Sequence, residues 1–276
     1  MGGNKSYQKA KVLANIKIAT GIFELTISTE IAKDVQPGQF VTLGSLVSNK
    51  ILSRPFSVYD NDDGHVHLIY QVVGPNTNTE AYSKLRTQDS INIFGPLGRP
   101  VVIDNQIENL ILVSGGCGLA SLYPLARQAV QREMSVSVMA GFRNKGSVFG
   151  INDFKGLAEN VSVRVATDDG SEEFQGNSAS LFTNILVDSS ITPLDVTKTA
   201  VFTCGPWPMM KKVAEIARQA EISCYVFLEE RMACGIGGCK GCAIKTKNGV
   251  KHICKDGPCF KAEEIDFEEV GQDERY

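Results

Sequence analysis

Four cysteines near the C-terminus offer the most specific chemistry in the chain. They follow the spacing Cys234-x4-Cys239-x2-Cys242-x11-Cys254. The x4 then x2 spacing is the plant-type arrangement for a [2Fe–2S] cluster, in which four thiolates hold two irons. Glycines fill much of the loop between them, and they let the backbone curl past the sulfides with its N–H groups close to sulfur. The spacing therefore predicts an iron–sulfur centre that transfers single electrons.

Other uses of these cysteines remain open at this point. Zinc ribbons usually present two C-x2-C pairs, whereas this segment has one such pair and a longer x4 arm. A disulfide framework suits small secreted chains, and this chain has 276 residues and no signal-peptide pattern at its start. Cys259 is a nearby fifth thiol that could replace Cys254, although a buried or spare cysteine is the simpler interpretation.

Composition narrows the class of protein. The length suits about two domains plus a small module. A net charge of −3 gives no basic field for nucleic acid, and no apolar run reaches the ~20 residues of a membrane-spanning helix. We therefore expect neither a nucleic-acid nor a membrane partner. Cluster-bearing, cysteine-rich sequence favours a reducing, cytoplasmic location.

The first hundred residues read as short β-strands. Apolar and polar residues alternate over 12–18, 23–27 and 65–70, with turn signals between these runs. Several short strands at this spacing predict a small antiparallel barrel. His65 and His67 share one face of a strand and, without a third ligand nearby, are interpreted as surface residues.

From about Asn109 the pattern changes to strands alternating with helices, which predicts an open α/β sheet. A helix with Ser121 as its N-cap is expected after the first strand. The predicted strands are 110–113, 136–140, 161–166, 200–203 and 224–228, and further helices are predicted near 179–187 and 208–220.

Two short segments could bind phosphates. Gly115-Gly116-Cys117-Gly118 joins a strand to a helix, where glycines allow close approach and the helix N-terminus favours an anion. This is not a full G-x-G-x-x-G fingerprint, and glycine-rich turns of this kind are common. In 54–57 an arginine could hold a phosphate, and a serine could bond a heteroaromatic ring edge. Thr77 and Glu80 stand at capping-box spacing in a loop that enters a helix.

In this order the segments resemble the ferredoxin-reductase-like flavoproteins, and within them a group of electron transfer subunits. The resemblance covers nearly the whole chain and is sharpest over 228–242 and 254–258. It implies a multidomain β plus α/β fold with three parts. These are an antiparallel FAD-binding β-barrel at 1–105, a Rossmann-like NAD-binding domain at 106–225, and a [2Fe–2S] module with an acidic tail at 226–276.

The resemblance also implies roles for individual residues. FAD would be bound by Arg54, Pro55, Phe56 and Ser57, with Tyr70, Gly74, and Thr77 or Thr79 near its ribityl or phosphate portion. The NAD site would include Gly115, Gly116, Gly118, Asp168, Gly205 and Pro206, with Cys204 near the nicotinamide as the candidate catalytic residue. The cluster ligands would be Cys234, Cys239, Cys242 and Cys254. The chain departs from the family's pattern after Gly98, where an aromatic residue is usual.

These parts predict a relay from an external flavin donor through [2Fe–2S] and FAD to NAD⁺. A (β/α)8 barrel of ~250 residues does not fit beside them, so substrate oxidation would belong to a separate FMN-containing catalytic subunit. The resemblance implies a heterotetramer with two copies of each subunit. Two alternatives stay open. One is an NAD(P)H-linked electron transfer subunit of a ferredoxin-dependent oxidoreductase, sulfide dehydrogenase or hydrogenase, and the other is a redox-sensing module with little turnover.

Overall fold

The computed structural model describes residues 5–48, 50–187 and 194–268. Its contacts divide the chain into two compact units. The first comprises Met1–Val101, Glu229–Ile244 and Lys251–Pro258, and the second comprises Val102–Leu228, Lys245–Val250 and Cys259–Tyr276. The chain therefore returns to the first unit after completing most of the second, and all four predicted cluster cysteines belong to the first. The functional division at 105 and 225 stays a prediction, and the part of the predicted acidic tail after residue 268 lies outside the described residues.

The first unit is built on a seven-stranded antiparallel sheet, which confirms the predicted β architecture. The strands are β1 (Ser6–Ala19), β2 (Ile22–Ser28), β3 (Phe40–Leu43), β4 (Arg54–Ser57), β5 (Asp60–Asp62), β6 (His65–Gln71) and β7 (Ser90–Leu97). Their order is β4-β3-β7-β1-β2-β6-β5. The sheet forms a half-barrel, and helix α1 (Asn78–Tyr82) lies in the connection between β6 and β7.

The period-two pattern explains which side of these strands is buried. In β2, Leu25 and Ile27 are fully buried, whereas the alternate Glu24 and Thr26 are only partly buried. Successive side chains of a strand point to opposite faces, so the apolar set of each strand meets in one core. This core includes Val12, Leu25, Ile27, Val41, Leu68, Ile91 and Ile93.

The second unit contains the predicted α/β sheet. Its parallel strands are β8 (Asn109–Gly115), β9 (Ser135–Phe142), β10 (Val161–Thr167), β11 (Phe174–Gln175), β12 (Thr199–Cys204) and β13 (Ser223–Phe227). Its helices are α2 (Gly118–Gln131), α3 (Ile151–Lys155), α4 (Ser178–Val187) and α5 (Trp207–Gln219). The strand order is β11-β10-β9-β8-β12-β13, so the winding reverses between β8 and β12. Such a switch point opens a crevice at the carboxyl ends of the strands.

The predicted N-cap at Ser121 is wrong. Helix α2 begins at Gly118, directly after the glycine turn, and Cys117 at its N-cap position already has helical backbone angles. Ser121 is buried within the helix, and Pro124 lies inside it. The helix starts early because the glycines turn the chain immediately at the end of β8.

The C-terminal part contributes four elements. These are β14 (Ala243–Thr246), β15 (Gly249–His252), helix α6 (Ile253–Asp256) and β16 (Cys259–Lys261). Strands β14 and β15 pair with each other, and β16 adds antiparallel to β13 at the edge of the second sheet. Across the described residues, no helix combines the length and apolar character needed to cross a membrane.

Candidate functional site

The cluster loop owes its shape to left-handed backbone positions. Gly235 and Gly237 have φ angles of 69° and 83°, a region in which residues with a side chain are strained. Space is also short, because a Cβ on Gly235 would lie 2.8 Å from Leu97 Cδ1. Cys234, Cys239 and Cys242 belong to this loop, and Cys254 is supplied by α6.

The four thiols form two pairs. Cys242 Sγ lies 3.2 Å from Cys254 Sγ, and both residues are buried. The second pair is Cys234 and Cys239: their side chains are hydrogen-bonded, and the backbone N–H of Cys239 also donates to Cys234 Sγ at 3.3 Å, with Cys239 exposed. Across the described residues, no three His, Cys, Asp or Glu side chains are arranged around one metal ion. Two thiol pairs suit a two-iron cluster, which is held by four cysteines in all.

Backbone N–H groups point at the sulfurs. Gly237 donates to Cys254 Sγ at 3.1 Å and Gly241 donates to Cys239 Sγ at 3.5 Å. Burial acts to raise the pKa of Cys234, but N–H groups of Cys239 and Ile236 outweigh it and lower that pKa to about 6. Such donors stabilise thiolates, which are the form that binds iron. The donor set therefore fits a [2Fe–2S] cluster.

The pKa values of Cys234 and Cys254 are shifted in opposite directions when the thiols carry no iron. Burial, with a contribution from the neighbouring Cys242 thiol, raises the pKa of Cys254 to about 12. Metal binding deprotonates a coordinating thiol outright, so this thiol would release its proton on ligation.

Cys259 has different surroundings from these four residues. It lies on β16 in the second unit, where its backbone pairs with Phe227 of β13. Burial raises its pKa well above the ordinary value. Because Cys254 already stands beside Cys242, the geometry favours Cys254 as the fourth ligand and leaves Cys259 as a partly buried thiol of the second unit.

The 54–57 segment forms strand β4 on the edge of the half-barrel sheet. The Arg54 side chain is partly buried and donates from Nη1 to the Leu52 carbonyl at 3.0 Å. The Phe56 ring lies 6.0 Å from the Tyr70 ring and 5.8 Å from the Tyr82 ring, both edge to face. Strand β4 is thus anchored by one aromatic side chain, with Pro55 and Ser57 partly exposed beside it.

Tyr70 itself is a core residue. It is 3% exposed, and its hydroxyl donates to Asn15 Oδ1 at 3.0 Å. Burial raises its pKa above the ordinary tyrosine value. Its side chain therefore supports β4 through Phe56, and any contact with a cofactor would come from elsewhere on the residue.

The loop before α1 is folded by its two threonines. Thr77 caps the helix by accepting from the Glu80 N–H at 3.1 Å and donates to the Gly74 carbonyl at 2.7 Å. Thr79 accepts from the Val73 N–H at 3.2 Å, and its hydroxyl lies 3.0 Å from that of Thr77. The Glu80 carboxylate returns to Asn76 N, one residue before the expected capping-box position. Gly74, Thr77 and Thr79 are therefore brought together in one turn.

The glycine turn of the second unit lies against the loop after β12. A Cβ on Gly118 would stand 2.2 Å from the Cys204 carbonyl oxygen, and one on Gly115 would stand 2.6 Å from Pro206 Cδ. Gly205 is equally tight, since its Cβ would lie 2.8 Å from Gly115 N. The structure thus brings together both predicted nucleotide loops at the switch point between β8 and β12.

Asp168 and Cys204 lie at the same edge of this sheet. Asp168 follows β10 and donates its N–H to the Phe142 carbonyl at the end of β9. Cys204 ends β12 and is 2% exposed. Two strand spacings of about 4.8 Å separate β10 from β8, so Asp168 lies about 10 Å along the edge from the glycine turn.

Comparison with known proteins identifies relatives over almost the full chain. The dihydroorotate dehydrogenase B (NAD(+)) electron transfer subunit of Caldanaerobacter subterraneus subsp. tengcongensis is 36% identical over 263 residues, covering 94% of this chain and 98% of the relative. That of Clostridium acetobutylicum is 35% identical over 261 residues, with coverage of 95% and 98%. This chain belongs to that family. The family model of the iron–sulfur cluster binding domain of dihydroorotate dehydrogenase B matches residues 229–266.

Solved structures share the fold of this chain. The structure of an NADH-dependent reduced ferredoxin–NADP oxidoreductase gives a TM-score of 0.84 at 29% identity, covering 98% of this chain and 93% of the other. A ferredoxin–NADP⁺ reductase from Neisseria gonorrhoeae gives a TM-score of 0.67 at 15% identity, with coverage of 77% and 91%. The predicted fold class and the predicted family are both confirmed.

Asn78 is a buried polar residue that the sequence pattern does not single out. Asn78, in the first turn of α1, is 1% exposed, and its Oδ1 accepts from the Ser45 hydroxyl at 2.9 Å and the Leu46 N–H at 3.0 Å. It fastens the loop after β3 to the turn that contains Thr77. An asparagine in a polar loop reads as an exposed turn residue, so only the long-range contacts reveal this role.

Proposed function

We propose that this chain is the electron transfer subunit of a dihydroorotate dehydrogenase B. It would pass electrons from an FMN-containing catalytic subunit through [2Fe–2S] and FAD to NAD⁺, as part of pyrimidine biosynthesis. The observation that carries the proposal is the set of two thiol pairs with backbone N–H donors, held in the same compact unit as the half-barrel. Membership of the family supports the choice of substrate.

The chain's residues would divide the work between the two units. FAD, when bound, supplies the conversion between hydride transfer and single-electron transfer. In the first unit, Arg54 would bind a phosphate by a charge-assisted hydrogen bond, and the turn of Gly74, Thr77 and Thr79 would orient the neighbouring part of the cofactor. In the second unit, the glycine turn at the start of α2 would receive the NAD pyrophosphate through backbone N–H groups.

The cluster loop offers a surface to the partner. Cys239 is exposed and Ile236 is 50% exposed, whereas Met232 is buried. Ile236 is therefore the better candidate for the partner contact, and Met232 packs inside the unit. We propose a heterotetramer with two copies of each subunit, NAD rather than NADP as the nucleotide, and a cytoplasmic location.

A second candidate is favoured by one observation. The TM-score of 0.84 to an NADH-dependent reduced ferredoxin–NADP oxidoreductase supports an NAD(P)H-linked subunit of a ferredoxin-dependent enzyme. In that case the donor would be a ferredoxin-type protein instead of an FMN subunit.

Reconstitution with candidate partners tests the proposal. The chain, carrying its cofactors, is mixed anaerobically with an FMN-containing dihydroorotate dehydrogenase subunit, and NADH formation is followed at 340 nm after dihydroorotate is added. We expect NADH to form only when both subunits are present, and NADP⁺ to be a poor acceptor. Electron transfer from reduced ferredoxin but not from dihydroorotate would support the second candidate instead.

A further inference from the structure

The segment Leu97–Arg99, where β7 leaves the half-barrel, packs against both parts of the cluster loop. Leu97 lies under Gly235, and Gly98 stands so close to Pro258 that a Cβ there would be 2.9 Å from Pro258 Cδ. The Gly98 carbonyl accepts from Nε2 of the buried Gln39 at 3.0 Å. This exit segment is therefore fixed to the sheet on one side and to the cluster loop on the other.

Arg99 makes the polar contacts of this junction. Its backbone N–H donates to the Gly257 carbonyl at 2.7 Å, and its Nε donates to the Lys255 carbonyl at 3.0 Å. Its Nη2 lies 3.8 Å from Asp256 Oδ1. These three partners follow Cys254 directly, at the carboxyl end of α6, where helix carbonyls lack partners within the helix.

Asp256 extends the contact to the other end of α6. Its Oδ2 accepts from the His252 N–H at 2.8 Å, just before the helix begins. Arg99 and Asp256 together thus hold both ends of the single helical turn that carries Cys254. Movement of this turn would displace the Cys254 thiol from Cys242 Sγ at 3.2 Å and from the Gly237 N–H at 3.1 Å.

We propose that Arg99 is a positioning residue for the iron–sulfur cluster, acting through α6 to hold the Cys254 thiol against the half-barrel. The inference rests on the proposed function, since it requires the cluster. Arg99 does not itself contact a cysteine in the arrangement described. Among the described residues, Arg99 makes polar contacts only with those of α6 and its carboxyl end. Its removal should therefore disturb the buried Cys242–Cys254 pair.

An arginine suits this position better than a lysine. The side chain of Arg99 is 68% exposed, so its ion pair with Asp256 contributes little in water. What holds α6 is the directed hydrogen bond to the Lys255 carbonyl, made while the same guanidinium reaches towards the carboxylate. The planar guanidinium can face the Lys255 carbonyl and the Asp256 carboxylate at the same time. A lysine ammonium is a single point charge on a flexible stem.

The test compares Arg99→Ala and Arg99→Lys with the unchanged chain and with Arg86→Ala. Arg86 is an exposed arginine of the same unit and serves as the matched control. Each protein is purified anaerobically with its cofactors. Three quantities are measured: iron and FAD per chain, the rate of iron release to a ferrous chelator, and the electron paramagnetic resonance spectrum after dithionite reduction.

We expect Arg99→Ala to retain FAD but to release iron about fivefold faster, the loss associated with one hydrogen bond. Its spectrum should broaden or shift, and Arg99→Lys should be intermediate. If the alanine variant fails to fold, the lysine variant decides by the same measurements. Iron release and spectra equal to those of the unchanged chain would overturn the positioning role. Absence of a cluster from the unchanged chain would instead overturn the proposed function.

Discussion

Replacing Gly118 by alanine tests the packing of the nucleotide loops most directly. The added Cβ would lie 2.2 Å from the Cys204 carbonyl oxygen, 2.5 Å from its carbon and 2.8 Å from Gly205 N. All three are backbone atoms, so no side-chain rotation relieves the clash. Gly116 provides the matched control, because its Cβ would have nothing within 4 Å and only its φ of 52° is unfavourable.

The two substitutions should differ severalfold in how far they lower the free energy of unfolding. Contact with a carbonyl oxygen needs about 3.3 Å, so the start of α2 must move by about 1 Å, and overpacking of this kind costs about 3 kcal/mol. A left-handed alanine at position 116 costs only about 1 kcal/mol. For a chain of this size the expected drop in Tm is about 6–12 °C for Gly118→Ala and about 2–4 °C for Gly116→Ala.

Thermal unfolding and anaerobic NADH titration measure these effects. Flavin bleaching reports nucleotide binding, and bound FAD reports the integrity of the first unit. We expect Gly118→Ala to keep its FAD but to need at least about tenfold more NADH, because displacing the turn moves its N–H groups. Equal Tm in the two variants would refute the tight packing of the 115–118 turn on the 204–206 loop.

Four further substitutions address the other sites. Cys254→Ser should abolish the cluster, whereas Cys259→Ser should keep full iron content; the reverse result in an iron assay would exchange their assignments. The bond to Glu24 raises the pKa of His67, although burial opposes it. Protonated His67 therefore stabilises the fold fully below about pH 6.5, its pKa in the unfolded chain. This stabilisation is lost as the pH rises through the higher pKa of the folded chain. In urea unfolding, His67→Gln should lower the free energy of unfolding by about 1–2 kcal/mol at pH 5.5 and by much less at pH 9. A decrease that does not depend on pH would contradict this. Arg54→Ala should weaken FAD binding about tenfold or more, measured by flavin release on dilution, and unchanged affinity would remove Arg54 from the site.

The chemistry of the chain was predictable wherever it depends on local spacing. The x4 and x2 cysteine spacing needs a tight loop, and the glycines at 235 and 237 supply the left-handed turns that the structure contains. The glycine turn at 115–118 likewise falls where a strand meets a helix. In both cases the residues that matter are within a few positions of one another.

Long-range contacts were not predictable in this way. The sequence shows no third ligand near His65 and His67 and so predicts surface residues. In the structure, the Asp62 carboxylate lies within hydrogen-bond distance of both rings, at 2.8 Å from His65 Nδ1 and 3.3 Å from His67 Nε2. Glu24 joins them from β2 at 3.1 Å from His67 Nδ1. That meeting depends on the register of three antiparallel strands, which a sequence pattern does not specify.

The return of the chain to the first unit has a consequence for how the protein is divided. After the cluster turn, β16 adds to β13 of the second sheet, and Phe267 packs on Trp207 at a ring distance of 5.0 Å. The segment after residue 225 therefore completes both units, because it supplies the cluster loop to one and an edge strand to the other. A cluster module of this kind can be separate in function without being separable as a folded piece. The loop and helix that carry its ligands are held by Leu97–Arg99, at and just after the end of β7 and far away in sequence. Arg99 makes the polar, directed contacts of that segment.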